Sequence, residues 1–189
     1  MIVGDKSIFA IESHIEESFE SSNLRALGFF IIHIDGYEFG VREKDATMLQ
    51  NSYEEVLDRL KNKGNHLSPG LNAKGGVDIA IAYQNIWYGD GDLEQFHGIS
   101  PKDFDEMFLS PRINWAPDGD AAFDDGGNIL QLDEDDEIVR IIAFKNEDNI
   151  ADTISSIREI RITSEVFYGI LKLWSDSFFL EWKNSKYKR

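Results

Sequence analysis

The fold is decided by Phe29-Phe30-Ile31-Ile32-His33-Ile34-Asp35-Gly36-Tyr37-Glu38-Phe39-Gly40-Val41. Two β-prone runs flank Asp35-Gly36. Asp-Gly between apolar runs is the strongest short-range hairpin signal, because a type I′ turn needs positive φ at both central residues. The segment therefore reads as an antiparallel hairpin, 29–34 and 37–41.

Upstream, the alternation in Ile8-Phe9-Ala10-Ile11-Glu12 predicts a strand running to about Glu17. Downstream, Tyr53, Val56, Leu57 and Leu60 form one apolar stripe, which predicts a helix over 52–63 that Gly64 stops. Residues 64–76 read as a loop, and 77–83 as a return to β structure. Residues 90–98 read as irregular, and Pro101 opens a short helix through Phe104, Met107 and Phe108. Strands are expected at 129–132, 138–144 and 157–162. A long helix closes the chain, with Ser164 as N-cap and Glu165 in its first turn. Phe167, Ile170, Leu171, Trp174, Phe178 and Trp182 supply its buried face. This order predicts a single acidic α+β domain over 1–189. Its mainly antiparallel sheet, a hairpin plus a meander, packs against a middle helix and a long C-terminal helix.

Charge narrows the function. The 189 residues carry 35 Asp+Glu against 19 Lys+Arg, a formal charge of −16. From Asp118 to Asp152 there are twelve acids and two bases, while residues 153–189 carry a net +3. A field this negative repels nucleic acid and anionic membrane and attracts a cationic partner. With no cysteine, a disulfide framework, thiol catalysis and thiolate metal sites are excluded. The opening Met1-Ile2-Val3-Gly4-Asp5 is unlike a secretory signal, and no apolar run is long enough to span a bilayer, so a cytoplasmic protein is expected.

The search for catalytic chemistry finds little. His14, His33, His66 and His97 lie too far apart in sequence to suggest a metal site, and His33 reads as an ordinary strand residue. Gly70-Leu71-Asn72-Ala73-Lys74-Gly75-Gly76 has the glycine spacing of a phosphate loop, but Gly76-Val77 stands where Lys-Ser/Thr is required. Asp90-Gly91-Asp92-Leu93-Glu94 begins like a calcium loop, yet its sixth position is Gln95 and its twelfth Pro101. No enzyme activity, cofactor or metal is expected. Two alternatives stay open: a carboxylate-based hydrolase or metal-dependent enzyme, and an acidic interaction module whose acidic face binds a basic protein.

The candidate binding residues follow from charge and expected exposure. Asp133-Glu134-Asp135-Asp136-Glu137 sits between two predicted strands and reads as a hairpin tip whose carboxylates stay in water, so Asp133, Glu134, Asp135 and Asp136 are the first patch. Trp87 and Tyr88, immediately before Asp90 and Asp92, form a second patch with aromatic anchors.

Several segments together resemble a known family. They are Ile2-Val3-Gly4-Asp5-Lys6 with Phe9-Ala10-Ile11-Glu12, and Gly28-Phe29-Phe30 through Gly40. Further on come Phe123-Asp124 with Gly127-Asn128-Ile129-Leu130, then Arg140-Ile141-Ile142, Arg158-Glu159-Ile160 and Val166-Phe167. Their order and spacing resemble the immunity proteins of bacterial polymorphic toxin and contact-dependent growth inhibition systems, in particular immunity protein family 42. Tyr168-Gly169-Ile170, residues 84–117 and the acidic expansion at 133–137 depart from that pattern. The resemblance implies a non-enzymatic antitoxin that binds and blocks a co-encoded toxin domain, commonly a nuclease; the interaction module left open above is unrelated to toxins.

Overall fold

Asp35 and Gly36 both adopt positive φ, 51° and 77°, as the hairpin reading requires. The computed structural model describes residues 1–19, 26–88, 101–109, 112–116 and 120–185. The irregular reading of 90–98 falls outside these residues, as do Asp90 and Asp92.

The chain runs β1 (Ile2–Asp5), β2 (Phe9–Ser18), β3 (Ala26–Ile34), β4 (Tyr37–Phe39), β5 (Thr47–Met48), α1 (Leu49–Lys61), α2 (Pro69–Asn72), α3 (Gly76–Tyr88) and α4 (Pro101–Leu109). It continues with β6 (Asn114–Ala116), a 3₁₀ turn (Ala121–Phe123), β7 (Gly127–Asp133), β8 (Ile138–Lys145), α5 (Ile150–Ser156), β9 (Arg158–Thr163) and α6 (Ser164–Asn184). The expected α+β class is observed, with the strands in two antiparallel sheets. The first has the order β1-β2-β3-β4, with β5 also on β3, and the second is β6-β7-β8-β9.

Three sequence expectations are corrected. Residues 77–83 are helical within α3. Ile79, Ala80 and Tyr83 are its buried side, a helical spacing hidden in an apolar run too short to separate from a strand by pattern alone. The N-cap of α6 is Thr163, whose hydroxyl accepts from the Val166 N–H, and Ser164 is already the first helical residue. The 64–76 loop contains one helical turn, α2, with proline at its start.

The second sheet is buried on both faces, which explains why β7 is buried at every position. Ile129, Val139, Ile141 and Ala143 join the core shared with the first sheet and α6, while Leu130, Leu132, Ile142 and Phe144 face α3 and α4. On α6, Phe167, Leu171, Trp174 and Phe178 are fully buried against both sheets, each contributing about 1.5–3 kcal/mol of apolar burial. The Trp174 indole N–H donates to Ser13 Oγ at 3.0 Å, fixing α6 across β2. Arg158 of β9 lies over the Tyr37 ring, 3.2 Å from its centroid, and joins the second sheet to the hairpin of the first.

At Gly28 the pairing with β2 shifts register, between Ile15 and Glu17, and the strands approach closely. A Cβ built there would lie 1.8 Å from the His14 carbonyl oxygen. Gly28→Ala is therefore expected to lower stability by at least about 2 kcal/mol in urea unfolding, because backbone rather than a side chain must move.

Candidate partner-binding surfaces

The acidic hairpin joins β7 to β8, and its first acid is not in water. Asp133 is 2% exposed, which corrects its reading as part of a solvated tip. Its carboxylate accepts from the backbone N–H of Gly64 at 2.8 Å and of His66 at 3.2 Å. It also accepts from Gln131 Nε2 at 3.2 Å and from the Tyr168 hydroxyl at 3.0 Å. A buried carboxylate persists only with such a complement of donors. Burial, with the Asp133 carboxylate alongside, pushes the Tyr168 phenol well above its usual range, so it stays a donor.

The network continues into α1. The Tyr168 hydroxyl also accepts from Gln131 Nε2 at 2.8 Å, and Gln131 Oε1 accepts from Arg59 Nη1 at 3.1 Å. Arg59 is 1% exposed, donates to the carbonyls of Arg112 and Asn114, and pairs with Glu55 at 3.0 Å. Burial pushes this guanidinium down to about 10, with Glu55 opposing, and it remains charged at neutral pH.

Beyond this root the tip is built differently. Glu134 is held by Arg161 through two bonds of 2.9 Å, so much of its charge is answered within the chain. Asp135 caps the turn, accepting from the N–H groups of Glu137 and Ile138 at 2.8 Å. Ser164 donates its N–H to the Glu137 carbonyl at 2.6 Å, tying the tip to the start of α6. Asp135, Asp136 and Glu137 are exposed. The tip thus presents three carboxylates on a locked turn.

The second patch does not meet the first. Trp87 and Tyr88 are exposed, 41% and 47%, at the C-terminal end of α3. Gln84 bonds Asn146 and Glu147 just past β8, whereas Gly76, at the start of α3, bonds Glu159 near the acidic turn. The two patches therefore lie toward opposite ends of β8.

One charged cleft was missed. Glu54, Glu55 and Asp58 of α1 line a cleft of about 700 Å³ with Arg59, Leu109 and Arg112. An adjoining recess of about 430 Å³ adds Asp120. The helix was legible, but its acids looked like any solvated helix face. Their value comes from α4 and β6 closing the opposite wall, which no local pattern reveals.

A third cluster lies on the outer face of the first sheet. His33, 2% exposed, places Nε2 2.9 Å from Glu12 and Nδ1 3.9 Å from Glu38. One ligand atom from each of these three residues lies within 4.8 Å of the others, a set that resembles a cation site. Arg42 already spans both carboxylates at 2.8 Å, and Lys6 bonds Glu12 at 2.7 Å, so protein cations fill the place a metal would take. Arg42 holds the Glu12 carboxyl well below its usual range against the cost of burial, with Lys6 and His33 adding to the effect. Burial pushes His33 below its ordinary value, the bond to Glu12 opposing in part. A carboxylate kept this firmly ionised does not serve as a general acid.

Among the described residues no helix is long and apolar enough to cross a membrane. Fold and surface together define an acidic α+β protein that carries exposed carboxylates on a rigid frame. The family model described as Immunity protein 42 matches residues 1–177, and the chain belongs to that family. No curated protein and no solved structure matches it. Membership supports an immunity role and implies a toxin as partner.

Two outcomes test this anatomy. Asp133→Ala removes the shared acceptor of four donors and is expected to cost roughly 2–4 kcal/mol in urea unfolding, whereas Asp136→Ala stays within about 0.5 kcal/mol. Glu12, depressed in the folded state, contributes stability that is complete above its unfolded value of 4.5 and is lost as pH falls through the folded one. His33 acts in the same sense below 6.5, where the unfolded chain takes up a proton that the folded imidazole resists. Glu12→Gln should therefore flatten the acid limb of a stability–pH profile below 4.5.

Proposed function

We propose that this immunity protein binds and neutralises a co-encoded cationic toxin domain, a nuclease, by occluding its active site or substrate cleft. The observation that carries the reading is the locked acidic turn, with Asp135, Asp136 and Glu137 exposed and Asp133 buried beneath them. A nuclease needs a positive cleft to hold phosphates, and a complementary negative surface gives its inhibitor on-rate and selectivity. Steering of this kind brings association to about 10⁸–10⁹ M⁻¹s⁻¹ at low salt.

In this reading Glu134, Asp135 and Asp136 face the toxin, and Asp133 acts as the positioning residue beneath them. The cleft of Glu54, Glu55 and Asp58 lies one network away, through Arg59 and Gln131, but Glu55 pairs with Arg59 and Asp58 with Arg112, so among the described residues Glu54 is the carboxylate it leaves for a cationic partner. Trp87 and Tyr88, with Asp90 and Asp92, form the second patch, where desolvated aromatics supply tightness more than steering. The protein acts in the cytoplasm of the toxin-producing cell and needs no cofactor.

Replacing Asp135 and Asp136 by Asn and Glu137 by Gln, with Asp133 left intact, is expected to lower k_on by about tenfold or more at low salt and to flatten its salt dependence. The partner for stopped-flow measurement is the C-terminal domain of the protein encoded immediately upstream. Unchanged k_on and salt slope would remove the turn from the interface.

A further inference from the structure

α6 is more apolar than one buried face requires. Beside its core stripe runs a second one, Val166, Ile170, Leu173, Ser177 and Leu180, at alternating intervals of four and three residues. That spacing is the seam of paired helices. Val166, Leu173 and Leu180 are 51%, 57% and 56% exposed. Along one side of the seam, Ile170 and Leu173 form a groove of about 650 Å³ with Val3 of β1 and Ile8 of the β1–β2 turn. The groove widens the apolar face beyond the helix itself. Contiguous exposed apolar surface of this kind marks an interface.

The charges beside the seam identify the occupant. Glu165, Lys172, Asp176 and Lys183 fall within about 40° of one another on one flank of the helix, given 3.6 residues per turn. Their order of acid, base, acid, base is antisymmetric about Trp174. When two copies of a helix pack antiparallel, the same flank of each meets the other. Glu165 then faces Lys183 of the second copy, and the Lys172–Asp176 pair, closed at 2.8 Å within each helix, faces the same pair in reverse order.

We propose that α6 is a homodimer interface, with two copies packed antiparallel about a two-fold axis near Trp174. A self-complementary patch of this kind is what a closed two-fold dimer requires. At 21 residues the helix spans about 30 Å, and the Ile8 groove wall carries the contact toward the roughly 800 Å² per partner of a stable interface. The α1 cleft takes no part in it, and the acidic turn adjoins it only through Arg161 and the start of α6. Dimerisation is therefore read on the chain alone, and its failure leaves the toxin-binding reading standing.

Sedimentation equilibrium of the full chain, from low-micromolar to high-micromolar concentration, tests the proposal. A mass rising toward twice 21.6 kDa is expected. Leu173→Glu, at an exposed position where the fold tolerates charge, should be monomeric throughout, with an unchanged circular dichroism spectrum. Lys172→Glu sets two like-charge pairs across the axis and should weaken the dimer by roughly fivefold to tenfold. Adding Asp176→Lys regenerates the antisymmetric order and should restore it. A wild type that stays monomeric, a dimer indifferent to Leu173→Glu, or a double variant as weak as the single one would each overturn the proposal. Toxin binding lost in Leu173→Glu of a monomeric wild type would overturn it in favour of the toxin as occupant of this face.

Discussion

The Asp133 carboxylate, buried beneath an acidic turn, is the contact on which the arrangement depends. A negative group removed from water needs donors on every side, and here they come from three parts of the chain. Gly64 and His66 lead out of α1, Gln131 belongs to β7, and Tyr168 belongs to α6. Satisfying one carboxylate therefore fixes the relative placement of the middle helix, the second sheet and the long helix. Because Gln131 also accepts from Arg59, the same chain of bonds reaches the α1 cleft. Asp135, Asp136 and Glu137 inherit a rigid base without giving up their own hydration.

The strong negative charge is compatible with folding because it is kept off the core. Strands β7 and β8 bury both faces, one against the first sheet and α6, the other against α3 and α4. The charged groups that enter the interior are matched there. Arg59 meets Glu55, Arg140 meets Glu159 at 2.9 Å and donates to the Lys74 carbonyl, and Glu12 meets Arg42. Exposed carboxylates gather at the β7–β8 turn, where water screens them, while on α1 Glu55 meets Arg59 and Asp58 meets Arg112.

Much of the fold was legible because its signals are local. Asp35-Gly36 requires a hairpin, and the spacing from Phe167 to Phe178 requires a helix with one buried stripe. The division into two sheets was not legible, since strand order depends on contacts between distant segments. Residues 77–83 were misread because a short apolar run suits a strand or a helix equally, and packing on β8 decided between them. The candidate site was only partly legible. Asp133 and Asp136 are identical as letters in an acidic run, and the Tyr168 hydroxyl thirty-five residues away determines which of them is buried. Glu54, Glu55 and Asp58 became a surface of interest only once α4 and β6 formed the facing wall.

The central claim is that a family-42 immunity protein captures its toxin through charge held on a rigid acidic frame. Titrating the upstream-encoded toxin C-terminal domain with this chain by calorimetry at two salt concentrations, while following cleavage of total RNA, tests it most directly. The account predicts nanomolar binding that weakens with salt and abolishes cleavage at one equivalent. Binding indifferent to salt, or a toxin that stays active when saturated, would contradict it.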